Sequence, residues 1–83
     1  MNYDDLRLIL VEAAGSVEGV DLMSQEFIDT DLYQLGYDSL ALMELATRIQ
    51  QRFGVTISDD EVTELRTFRT ILDRVNSSAD ATA

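Results

Sequence analysis

Eighty-three residues with no cysteine and no histidine exclude a disulfide-stapled scaffold, the usual zinc, copper and iron sites, and the imidazole base of most hydrolases and transferases. Sixteen acidic side chains against six arginines and no lysine give a net charge of −10, a field that repels nucleic acid and anionic membranes and favours basic partners. No apolar run approaches the roughly 20 residues that cross a bilayer, and Met1-Asn2-Tyr3-Asp4-Asp5 is acidic where a secretory leader is basic, so a cytoplasmic protein is expected.

A chain this short forms one domain, residues 1–83, with a small core. In chain order, Leu6, Ile9, Leu10 and Ala13 recur at helical spacing and predict a first helix over 4–14, with Asp4 and Asp5 at its positive end and Gly15-Ser16 ending it. More than 20 residues without a clean period follow. Val20, Leu22, Phe27, Ile28, Leu32 and Leu35 are spaced along them as anchors, which predicts an ordered but loosely held loop. Residues 16–38 hold Glu18, Asp21, Glu26, Asp29, Asp31 and Asp38 without an arginine, so this stretch is expected to repel itself. Leu42, Leu45, Ala46, Ile49 and Phe53 form the core stripe of a second helix, with Asp38 as its N-cap and Gly54 as a left-handed C-cap. Ser58 can cap a short turn of helix over Asp59 to Leu65 that points Val62 and Leu65 inward. Thr67 then caps a last helix carrying Phe68, Ile71, Leu72 and Val75. The tail 76–83 lacks large apolar groups and is expected to fray.

Short matches to familiar chemistry fail on inspection. Asp29-Thr30-Asp31 opens like a calcium loop, but Gln34 stands where glycine is needed and Leu40 where a bidentate glutamate belongs. Gly36-x-x-Ser39 lacks the glycine pair of a nucleophile elbow, and no histidine exists to complete a triad. Asp59-Asp60-Glu61 reads most simply as charge stabilising the start of a helix. Neither a catalytic group nor a metal ligand is therefore assigned. What remains is Ser39, presented on the exposed first turn of the second helix, where Gly36 permits the turn and helix N–H groups favour an attached phosphate. At about 100° per residue, Leu40, Glu44, Thr47 and Gln51 lie opposite the core stripe, with Met43 at its edge.

The run Leu32-x-x-Leu35-Gly36-Tyr37-Asp38-Ser39-Leu40-Ala41-Leu42-Met43-Glu44 closely resembles the attachment region of acyl carrier proteins. The likeness extends from the first helix through the acidic loop to Phe53-Gly54-Val55-x-Ile57 and the last helix. Gly-Tyr-Asp-Ser-Leu-Ala-Leu-Met-Glu looks most like the discrete carriers of bacterial aromatic (type II) polyketide synthases; fatty-acid carriers commonly put a small residue at Tyr37 and an acidic one at Ala41. Leu32, Ser58 and Phe68 depart from the family's usual residues without touching the attachment site. The resemblance implies an all-α, small right-handed bundle of three main helices plus one short helix, with a long ordered loop between the first two. It implies 4′-phosphopantetheine, transferred from coenzyme A to Ser39 by a carrier protein synthase (a phosphopantetheinyl transferase), and a non-catalytic, monomeric carrier of thioester-bound polyketide intermediates. Implied partners are that transferase, a malonyl transferase, a ketosynthase with its chain-length factor, a ketoreductase and cyclases. They would recognise Asp38, Leu40, Met43, Glu44 and Thr47. Two other readings stay open at this point: a fatty-acid or aminoacyl carrier, and an acidic adaptor whose Ser39 is never modified.

Overall fold

The computed structural model describes residues 1–17, 19, 21 and 25–82, with side chains at all of these except 25 and 78–82. Among the described residues, four α-helices carry the fold: α1 (Tyr3–Ala14), α2 (Ser39–Phe53), α3 (Asp59–Val62) and α4 (Phe68–Thr82). A 3-10 turn, Gln25–Phe27, interrupts the long loop, and there is no strand among the described residues. The all-α expectation holds.

The helix ends are set by side chains. Asn2 accepts a hydrogen bond from the Asp5 N–H at 2.8 Å while the Asp5 carboxylate accepts from the Asn2 N–H at 3.1 Å. This reciprocal box starts α1 one residue earlier than its apolar period indicates. Tyr3 is thereby drawn into the core, edge-on to Phe68 with ring centroids 5.0 Å apart, a favoured aromatic geometry. The Ser58 hydroxyl accepts from Glu61 N–H at 3.2 Å to begin α3, and the Thr67 hydroxyl accepts from Thr70 N–H at 3.2 Å to begin α4. Gly54 closes α2 in the left-handed conformation, φ 71°.

Leu6, Ile9 and Leu10 of α1 meet Leu42, Leu45, Ala46 and Ile49 of α2 and Phe68, Ile71 and Val75 of α4 in one buried cluster. Three expectations need correction. Phe53 is 41% exposed and does not continue the core stripe; the chain turns at Gly54 immediately after it, and Val55 and Ile57 take up the core in its place. Helix α3 stops at Val62, because the N–H groups of Glu64 and Leu65 bond back three residues, to the Glu61 and Val62 carbonyls, instead of four; Leu65 still packs half-buried against the core. Helix α4 continues past Val75 to Thr82, and Asn76, which composition assigns to the tail, accepts from the Met1 amino group at 2.9 Å and donates to the Met1 carbonyl at 3.1 Å.

The long loop is held by more than scattered anchors. Leu32 is fully buried, while Phe27, Ile28 and Leu35 are half-buried against the core. Val20 and Leu22 lie outside the described residues. The backbone is tied across space as well: Leu32 N–H donates to the Arg66 carbonyl at 2.7 Å, and Arg69 N–H, open at the start of α4, donates to the Ile28 carbonyl at 3.1 Å. The expected self-repulsion is compensated at two of the six carboxylates. Asp29 pairs with Arg69 and Asp31 with Arg66, cations that the loop's own sequence lacks, and Arg66 also lies over the Tyr33 ring at 4.5 Å. All six arginines of the chain are in ion pairs.

Candidate functional site at the start of helix α2

Gly36 sets the approach to Ser39. Its φ of 107° is strained for any residue with a Cβ, although an added Cβ would meet only ordinary contact with the Val17 side chain at 3.4 Å. Tyr37 follows and is buried; its N–H donates to the Leu32 carbonyl at 3.1 Å and its hydroxyl to the Gly15 carbonyl at 3.2 Å. Burial pushes this phenol above its ordinary pKa, so it stays a neutral donor. The chain entering α2 is thus pinned to the loop on one side and to the end of α1 on the other. The sequence reading used Tyr37 only as a family marker and missed this role, although an aromatic residue placed between a turn glycine and an N-cap is a usable signal.

Asp38 is extended at φ −118° and caps the helix: its carboxylate accepts from Ala41 N–H at 2.9 Å and its carbonyl from Leu42 N–H at 3.2 Å. The N–H groups of Ser39 and Leu40 are left without a partner among the described residues, at the positive end of a helix 15 residues long. Ser39 is exposed, and its hydroxyl makes no hydrogen bond among the described residues. Among the described residues, no base is hydrogen-bonded to it. The nearest carboxylate in sequence, Asp38, is committed to the cap.

Of the predicted partner-face residues, Asp38, Leu40, Glu44 and Thr47 are exposed, with Leu40 at 72%. Met43 sits half-buried against the core at the edge of this face. Glu44 pairs with Arg48 at 3.6 Å, and the Thr47 hydroxyl donates back to the Met43 carbonyl at 3.2 Å. Beside Ser39 an open groove of about 380 Å³ is lined by Ala13 and Ala14 from α1 and by Asp38, Leu40, Ala41 and Glu44. Among the described residues, no cluster of three or more potential ligands could hold a metal ion, and no helix is long and apolar enough to cross a membrane.

An exposed serine with two open N–H groups beside it and no activating base has the features of a passive covalent carrier, loaded through a phosphate by another protein. The comparisons agree. The family model described as the phosphopantetheine attachment site matches residues 9–75. The actinorhodin polyketide synthase acyl carrier protein of Streptomyces coelicolor is 49% identical over 78 residues, covering 94% of this chain and 90% of its own. The granaticin counterpart from Streptomyces violaceoruber is 47% identical, with 94% and 91% covered. The solution structure of the 3-oxo-butyl form of the actinorhodin carrier superposes with a TM-score of 0.87 at 44% identity, over 100% of this chain and 95% of that one; the holo form gives 0.85 at 46% identity, with the same shares covered. The chain belongs to the acyl carrier proteins of polyketide synthases, and its prosthetic group is 4′-phosphopantetheine. The site fits that group: a free hydroxyl to esterify, open N–H groups for the phosphate, and a groove leading away.

Proposed function

We propose that Ser39 is the attachment point and that the chain is a single non-catalytic, monomeric carrier unit of a bacterial aromatic (type II) polyketide synthase in the cytoplasm. The observation that carries the assignment is the exposed Ser39 hydroxyl on the first turn of α2, beside the unpaired N–H groups of Ser39 and Leu40. In loading, Ser39 Oγ attacks the β-phosphorus of coenzyme A; a phosphodiester forms, adenosine 3′,5′-bisphosphate leaves, and the serine proton passes to a base on the transferase. That base must come from the partner, since Asp38 is engaged with Ala41 N–H and the chain has no histidine. The bound group supplies a thiol that carries acyl chains as thioesters. The relatives' names point to β-ketone chains as the cargo.

The same partner enzymes that the family resemblance implies, a phosphopantetheinyl transferase, malonyl transferase, ketosynthase with chain-length factor, ketoreductase and cyclases, would dock on Asp38, Leu40, Met43, Glu44 and Thr47. Exposed carboxylates beside an exposed Leu40 suit basic surfaces with a small apolar pocket. Charge complementarity raises encounter rates more than it deepens affinity, which a carrier that must leave each enzyme requires. Incubation with coenzyme A and a promiscuous phosphopantetheinyl transferase should raise the intact mass by one phosphopantetheine. Ser39→Ala should show no gain and keep its far-ultraviolet helical signal; a mass gain on that variant would refute the assignment.

A further inference from the structure

We infer that Arg66, in the segment joining α3 to α4, is a positioning residue for loading: it holds the turn over residues 31–36 that delivers Ser39 to the start of α2. This rests on the Ser39 reading above. The turn is built on Asp31, whose carbonyl accepts from Gln34 N–H at 2.9 Å and whose Oδ1 accepts from Tyr33 N–H at 2.9 Å. The Leu32 carbonyl then accepts from Leu35 N–H and from Tyr37 N–H, both at 3.1 Å, so the turn passes its geometry to the residue before the N-cap. Whatever fixes Asp31 and Tyr33 therefore fixes the approach to Ser39.

Arg66 grips both. Its Nη2 lies 2.7 Å from Asp31 Oδ2, the carboxylate oxygen that Tyr33 N–H does not use, and its guanidinium carbon lies 4.5 Å from the centre of the Tyr33 ring. A flat guanidinium can bond a carboxylate at its edge while lying over a ring with its face, which an ammonium cannot do. The backbone completes the fastening: Leu32 N–H donates to the Arg66 carbonyl at 2.7 Å and the Tyr33 hydroxyl to the Thr63 carbonyl at 3.2 Å. Residues 16–38 contain neither arginine nor lysine, so the cation has to come from elsewhere in the chain. With Arg66 in place the turn is formed before a transferase arrives. Without it, part of the population has to be ordered during docking, which weakens apparent binding and leaves the step after docking unchanged.

The test measures loading from coenzyme A by a promiscuous phosphopantetheinyl transferase, with the full apo chain as the varied substrate, beside amide exchange of that chain alone. Arg66→Gln keeps a polar side chain at an exposed position. It should raise KM about threefold at unchanged kcat and speed exchange at residues 33–37, with α2 beyond Leu45 unaffected. Arg66→Lys, which keeps a charge for Asp31 but offers no flat face to Tyr33, should fall between the parent and Arg66→Gln. Asp29→Asn breaks the loop's pair with Arg69, which involves neither Asp31 nor Tyr33, and should leave KM where it is. A parent-like KM for Arg66→Gln, an equal rise for Asp29→Asn, or a fall in kcat alone would overturn the inference. So would a raised KM with exchange at 33–37 unchanged, because the transferase would then be reading Arg66 directly. No mass gain on the parent protein would instead sink the attachment reading, and that outcome is separate from the others.

Discussion

At the scale of single residues, Asp38 serves two roles that one substitution cannot separate and two can. Its carboxylate satisfies Ala41 N–H at 2.9 Å, and it places a negative charge beside Ser39. Asp38→Ala removes both and should cost about 1 kcal/mol, which in a domain of this size lowers the melting temperature by roughly 4–8 °C. Asp38→Asn caps nearly as well and should melt close to the parent. It should still load more slowly, through a lower kcat/KM for the transferase at low salt, with the gap closing as salt screens the parent's advantage. Equal kcat/KM for the parent and Asp38→Asn at low salt would show that partners do not read this charge. A melting temperature for Asp38→Ala matching the parent would show that the cap is redundant with water.

At the scale of elements, the long loop is joined to α4 by the ion pair between Asp29 and Arg69, whose Nε lies 2.5 Å from the carboxylate. The hydrogen bond from Arg69 holds the Asp29 carboxyl below its ordinary range. A depressed folded-state value means that the pair's contribution is complete above the unfolded value, about 3.9, and is lost as pH falls through the folded one. The difference in melting temperature between the parent and Asp29→Asn should therefore be constant from neutrality down to about pH 5 and narrow below about pH 4. A gap that is already absent at pH 7 would show that solvent fully screens this exposed pair.

The same region marks the limit of what local sequence carries. Helices α1, α2 and α4 are legible because their apolar residues repeat on one face, and the ends of α2, α3 and α4 because Gly54, Ser58 and Thr67 are residue types that cap by a local mechanism. Ser39 is legible for the same reason: Asp38, Gly36 and the stripe from Leu42 define a helix start within a few residues. The arginines that neutralise Asp29 and Asp31 come from positions 69 and 66, and Tyr3 finds Phe68 from the other end of the chain. Such contacts have no period and no fixed spacing, so two carboxylates of the run read as self-repelling, Asp29 and Asp31, are in fact paired with arginines at and just before the start of α4. Phe53 fits the stripe by arithmetic, yet it is the last residue of α2, where the helix has no following turn to cover it.

At the scale of the whole molecule, a net charge of −10 is packed into a body with a radius of gyration of 11.8 Å and extents of 38 × 23 × 19 Å. At 0.01 M ionic strength the screening length is about 30 Å, longer than two of those dimensions, so nearly every excess carboxylate acts on every other. At about 0.15 M it falls to roughly 8 Å, and only neighbours interact. The melting temperature should therefore rise with salt over this range. Because the six arginines lie in α1, α2, the segment before α4 and α4, and two of them reach the long loop, the excess charge is spread over the molecule, and the relief should be spread too. Amide exchange of the loop residues 27–36 should slow by about the same factor as that of α2 and α4, read at 0.01 M and 0.15 M. With no cluster of metal-ligand type among the described residues, magnesium and sodium chloride at matched ionic strength should act alike. A melting temperature flat across this range would mean that ion pairing already cancels the long-range repulsion. Extra protection confined to 27–36, or specific to magnesium, would locate the uncompensated charge in the loop after all.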